Sequence, residues 1–148
     1  MNASPLTILL VEDDPNDVFL IQRAFNKANM VHSIKSVADG EQAMAYLGGQ
    51  GDFEDRAQFP LPTLILLDLK LPRKSGLEVL AWIRAQKGAI RRVPIIVLTS
   101  SKQSTDINRA YELGANSYLV KPVAFEGLLQ VVQTLDLYWI VLNERPEV

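Results

Sequence analysis

Cysteine is absent from the 148 residues, which excludes disulfides, thiol nucleophiles and thiolate-ligated metals. Histidine occurs once, at His32, outside every polar signature of the chain. A Ser-His-Asp arrangement, a His-rich zinc site and self-phosphorylation on histidine therefore lack their residues, and His32 reads as a partly exposed strand position. Neither charge sign dominates, with 15 basic against 17 acidic residues, and the only dense basic feature is the short Arg91-Arg92 pair. That balance gives no electrostatic case for nucleic acid or an anionic membrane. No uncharged run is long enough to span a bilayer, and no signal-peptide pattern opens the chain. The expectation is a single cytoplasmic domain over residues 1–148, with no nucleic-acid module and no membrane segment.

What is present is a set of short apolar runs that end on polar residues. Residues 8–11 lead into Glu12-Asp13-Asp14, residues 64–67 into Asp68, residues 95–98 into Thr99, and Tyr118-Leu119-Val120 into Lys121-Pro122. Runs of four apolar residues are too short for helices and read as strands buried on both faces. Weaker strand candidates cover residues 33–38 and 116–120. Helical patterns alternate with them: Asp14-Pro15 caps and starts one that carries Val18, Ile21 and Phe25, and others cover residues 40–47, 77–84 and 105–113, the last stopping at Gly114. A final stripe of Phe125, Leu128, Val132, Leu135, Trp139 and Leu142 extends a C-terminal helix to about 143. The result is βα repeated five times: an α/β, flavodoxin-like, doubly wound five-stranded parallel sheet of order 2-1-3-4-5 with helices on both faces. In that order the carboxyl ends of strands 1 and 3 are neighbours, so Asp13 and Asp68 meet.

Three carboxylates, Glu12, Asp13 and Asp68, then share one small site. They repel one another unless a hard cation is present, and Mg²⁺ suits an all-oxygen site that also receives a phosphate oxygen. Asp68 reads as a nucleophile able to hold an acyl phosphate, with the Lys121 ammonium and the Thr99 hydroxyl stabilising the transferred group. A tight bend aiming the lysine inward predicts a cis Lys121-Pro122 bond. The alternative for Glu12-Asp13-Asp14 is a polar helix start, which describes Asp14. Residues 48–63 form a long connection, read as an exposed loop available to a partner.

These residues resemble the receiver domain of two-component response regulators over positions 6 to about 136. The resemblance implies Glu12 and Asp13 as the acidic pair, Asp68 as phosphoacceptor, Thr99 as the switch hydroxyl and Tyr118 as the switch aromatic. Lys121 is implied to contact the phosphate, and the Lys70 backbone carbonyl to complete the protein ligands of Mg²⁺. It also implies a sensor histidine kinase as phosphate donor. The run Leu67-Asp68-Leu69-Lys70-Leu71-Pro72 and the apolar tail Leu137-Tyr138-Trp139-Ile140 look like the small single-domain regulators that partner phytochromes. Leu137, Ile140 and Val141 fall off the helix's main stripe, which points to a homodimer through the C-terminal helix. Such a protein is a phosphoacceptor and not a turnover enzyme. A haloacid-dehalogenase-like phosphatase would carry a second Asp at position 70, where Lys70 stands. A receiver-shaped module that docks without ever being phosphorylated is left open by the residues.

Overall fold

In the computed structural model, which describes residues 6–28, 33–136 and 144, five parallel strands form one sheet in the order β2-β1-β3-β4-β5. The strands are β1 (Thr7–Val11), β2 (Ser33–Val37), β3 (Leu64–Leu67), β4 (Ile95–Thr99) and β5 (Ser117–Val120). The helices are α1 (Pro15–Lys27), α2 (Gly40–Gly48), α3 (Gly76–Ala85), α4 (Ala89–Arg92), α5 (Ser104–Glu112) and α6 (Phe125–Leu135). Strand side chains alternate between faces, so a fully apolar run serves two cores at once. Leu9, Val11, Ile65, Leu67, Ile95 and Val97 pack on the α2, α3 and α5 side, together with Ala43, Leu80 and Ala110. Ile8, Leu10, Leu64, Leu66, Ile96 and Leu98 pack on the other side against Ile21 and Phe25 of α1 and Leu128, Val132 and Leu135 of α6. Each fully buried aliphatic side chain stabilises the fold by about 1.5–3 kcal/mol.

Local signals set the helix ends. Asp14 accepts from the Asn16 N–H at 2.9 Å, with Pro15 in the first turn; a missing N–H costs nothing there. Ser75 and Glu78 exchange side-chain-to-backbone bonds in a capping box that starts α3. Gly49 ends α2 with φ 64°, a left-handed conformation that glycine adopts without strain.

Several elements differ from the sequence expectation. The α4 turn and a 3-10 turn at Gly51–Phe53 were not foreseen. The long connection is largely exposed, as expected, but it is ordered from within: Tyr46, Phe53 and Phe59 meet in tilted and edge-to-face contacts with ring centroids 5.1–5.8 Å apart. Arg56 donates to the terminal α2 carbonyls of Tyr46 (2.7 Å) and Leu47 (2.6 Å), so one guanidinium caps the helix and pins the loop. The predicted cis Lys121-Pro122 bond is corrected: no cis peptide occurs among the described residues. The Lys121 N–H continues the strand ladder to the Thr99 carbonyl at 2.8 Å, and the long lysine stem reaches the site without a backbone reversal. His32 and the tail residues Leu137, Trp139, Ile140, Val141 and Leu142, with the helix extension to about 143, lie outside the described residues.

Candidate functional site

The strand order brings the ends of β1, β3, β4 and β5 to one edge, and with them Glu12, Asp13, Asp68, Thr99 and Lys121. Carboxylate oxygens of Glu12, Asp13 and Asp68 lie within 4.8 Å of one another. Glu12 is 2% and Asp68 7% exposed, whereas Asp13 faces solvent. Such a cluster needs positive charge, and one source is built in. Lys121 Nζ donates to Glu12 Oε1, to Asp68 Oδ2 at 3.0 Å and to Asp17 Oδ2 at 2.8 Å. The second Glu12 oxygen accepts from the Asp14 N–H at 3.1 Å.

One ammonium faces three carboxylates, and the protonation equilibria follow from that imbalance. Burial pushes the Glu12 carboxyl up to about 7, against the pull of the Lys121 hydrogen bond. Burial also lowers the Lys121 ammonium pKa, but the bonds to Asp17 and Glu12 outweigh it, and the amine stays charged well above its ordinary range. Asp68 is likewise desolvated, yet the nearby Thr99 hydroxyl and Lys121 hold it below its usual value. Asp68 is thus an ionised nucleophile, while Glu12 is the carboxyl of the cluster that most readily takes a proton.

Thr99 is fully buried and its Oγ1 has no hydrogen-bond partner of good geometry. A buried hydroxyl whose one polar neighbour is poorly aligned gains from a better acceptor, and this one stands beside the nucleophile, where an added oxygen would satisfy it. Tyr118 is half-buried against the core, with its hydroxyl donating to the Ser101 carbonyl at 3.0 Å. Ser101 Oγ donates to Asp106 Oδ2 at 2.5 Å and accepts from the Gln103 N–H. The β4–α5 loop is therefore tied both to α5 and to the tyrosine.

The loop after Asp68 is shaped around it. The Lys70 N–H donates to Asp68 Oδ1 at 3.3 Å, and the Gly76 N–H donates to the Leu69 carbonyl at 2.8 Å. A Cβ on Gly76 would stand 2.2 Å from the Asp68 carbonyl oxygen, so only glycine lets α3 start this close to the nucleophile. Arg73 holds a left-handed φ of 69°, steadied by ion pairs to Asp39 (3.4 Å) and Glu41 (3.8 Å).

Asp17 is the site residue that sequence reasoning missed. Its signal, an acid in the first turn of a helix, is indistinguishable from ordinary complementing of the helix dipole. Its part in the lysine cluster depends on where β5 ends relative to α1, which is tertiary information.

The donor set fits a hard divalent cation. It is all oxygen, its members lie close together, and among the described residues Asp13 has no cationic partner.

A family model for the response regulator receiver domain matches residues 8–133. The chain belongs to that family. It is 41% identical over 136 residues to the response regulator Rcp1 of Synechocystis, covering 92% of this chain and 90% of the relative. It also superposes on the phosphorylated cyanobacterial phytochrome response regulator RcpA with a TM-score of 0.89 at 37% identity, covering 97% of this chain and 100% of that one. With the Mn²⁺-bound form of Rcp1 the TM-score is 0.85 at 40% identity, covering the same 97% and 100%. The protein is a response regulator of the two-component type, homologous to the single-domain phytochrome regulators, and receiver domains of this kind hold a divalent metal at their acidic site.

Proposed function

We propose that this protein accepts a phosphoryl group from the phosphohistidine of a sensor kinase onto Asp68, with Mg²⁺ bound at Glu12, Asp13, Asp68 and the Lys70 backbone carbonyl. The observation that carries this reading is Asp68, held ionised between the Lys121 ammonium and a Thr99 hydroxyl that has no hydrogen bond of good geometry. Asp68 supplies the attacking oxygen: its new O–P bond forms as the donor's P–N bond breaks, and the electron pair leaves on the imidazole. Lys121 and Thr99 then donate to the phosphoryl oxygens, where charge accumulates. Mg²⁺ would neutralise the remaining charge of the cluster and accept a phosphoryl oxygen. Thr99 moving toward that oxygen alters the β4–α5 loop it heads, and through Ser101 the packing of Tyr118. That linked rearrangement is the signalling output.

The similarity to RcpA and Rcp1 supports a phytochrome-type kinase as the donor, in the cytoplasm. A homodimer through the face of α6 is the second part of the proposal, supported by the open groove that Leu119, Pro122, Val131 and Leu135 line on its described portion. Incubation with acetyl phosphate and Mg²⁺ should add one phosphoryl group to the wild type and none to Asp68→Asn by intact mass. Equal labelling of both proteins would refute Asp68. Sedimentation at high micromolar concentration, with and without beryllofluoride, should show dimer; a monomer in both states would refute the interface.

A further inference from the structure

An ammonium has three N–H donors, and all three of Lys121 are engaged: by Glu12 at the end of β1, by Asp68 at the end of β3, and by Asp17 in the first turn of α1. When Asp68 becomes an acyl phosphate, its oxygen gives up its negative charge and the phosphoryl oxygens take it. The donor that faced Asp68 must then turn to a phosphoryl oxygen. The other two N–H groups keep their partners, and these two partners fix where the third points.

We propose that Asp17 is a positioning residue for phosphoryl transfer, which with Glu12 brackets the Lys121 ammonium and aims its third N–H at the incoming group. This rests on the function proposed for Asp68. Glu12 alone cannot do this work, because its second oxygen is committed to the Asp14 N–H and a single acceptor leaves a four-carbon stem free to pivot. Asp17 approaches from a different element, so the two carboxylates hold the amine from two sides. A first-turn acid also complements the α1 dipole, and the Asp17 side chain is 34% exposed, so the ion pair adds little to stability. A dipole effect is independent of Lys121, whereas positioning acts through it.

The test uses the full chain with phosphoramidate as donor at saturating Mg²⁺, and rates followed by intact mass over hours. Asp17→Ala should lower the maximal rate about tenfold with Mg²⁺ affinity and the half-saturating donor concentration within about twofold of wild type. Asp17→Glu, which restores a carboxylate on the same helix face, should recover most of the rate. In a Lys121→Ala background, adding Asp17→Ala should cause no further loss, the signature of a residue acting through another. A wild-type rate in Asp17→Ala, a matching loss of Mg²⁺ affinity, or a tenfold loss that persists without Lys121 would overturn the assignment while leaving Asp68 in place. A wild type that takes no label at all would overturn both.

Discussion

Replacing Lys121 by alanine removes the only positive charge that the described structure offers to three carboxylates, two of them buried. Deleting one partner of a buried ion pair costs about 3–5 kcal/mol when the remaining charge is stranded. Two features reduce that figure here. Asp17 is a third exposed and its share is screened, and Glu12, already raised to about 7, can take a proton near neutrality instead of standing charged. The expected loss is about 2 kcal/mol at pH 8 without metal, or a fall of roughly 4–8 °C in Tm for a chain of this size. At pH 5.5, below the raised Glu12 value, Glu12 should hold its proton with or without Lys121, so the loss should shrink to about 1 kcal/mol, the part that belongs to Asp68 and Asp17. Millimolar Mg²⁺ should also stabilise the variant more than the wild type, because it supplies the missing charge. Thermal melts at the two pH values, each with EDTA and with Mg²⁺, measure all of this. A loss that is equal at pH 5.5 and pH 8, or a variant as stable as wild type in EDTA, would refute the charge argument.

Three further expectations follow from the same geometry. Burial raises the Glu12 carboxyl from its ordinary 4.5 to about 7 on folding, so the folded state should bind the extra proton between those values; metal-free stability should fall by about 3 kcal/mol as pH rises through that window, and a flat urea profile there would contradict it. Mg²⁺, which takes the ionised form, should accordingly stabilise more at pH 8 than at pH 5.5. Gly76→Ala drives a Cβ into the Asp68 carbonyl and should cost about 2–3 kcal/mol in urea unfolding while slowing Asp68 labelling; a neutral effect would show that α3 does not constrain the nucleophile. Hydrolysis of the acyl phosphate needs a positioned water, yet Lys70 carries no carboxylate and Ser101 is buried against Asp106, so the half-life of the purified phosphoprotein should be on the order of tens of minutes or longer. A half-life of seconds would mean that another group orients the water.

The fold was legible because its signals are local. Apolar runs of four at 64–67 and 95–98 can only be strands buried on both faces, Asp14-Pro15 announces a helix, and parallel βα alternation then carries Asp13 to Asp68 across 55 residues of sequence. What escaped was what depends on two elements at once. Asp17 looks like any first-turn acid until β5 delivers Lys121 beside it. Tyr46, Phe53 and Phe59 have no common period, so their edge-to-face cluster, and with it the ordering of residues 48–63 by Arg56, is invisible until α2 is placed. Gly76 lies just before the helix expected over 77–84 and carries no signal of its own in the sequence; its constraint, the 2.2 Å approach of a Cβ to the Asp68 carbonyl oxygen, belongs to the β3–α3 turn. The cis expectation at Lys121-Pro122 failed for a related reason: it treated backbone reversal as the means of aiming the amine, whereas three carboxylates aim it through a flexible stem.

The central claim is that Asp68 itself carries the phosphoryl group in a Mg²⁺-dependent reaction, and borohydride trapping tests it most directly. Reduction of an aspartyl phosphate leaves homoserine at the modified position, which peptide mass spectrometry locates. Treatment with acetyl phosphate and Mg²⁺ followed by borohydride should convert residue 68 and no other, and EDTA should abolish the conversion. Homoserine at Asp13 or Asp17, or conversion of residue 68 at the same rate in EDTA, would contradict it.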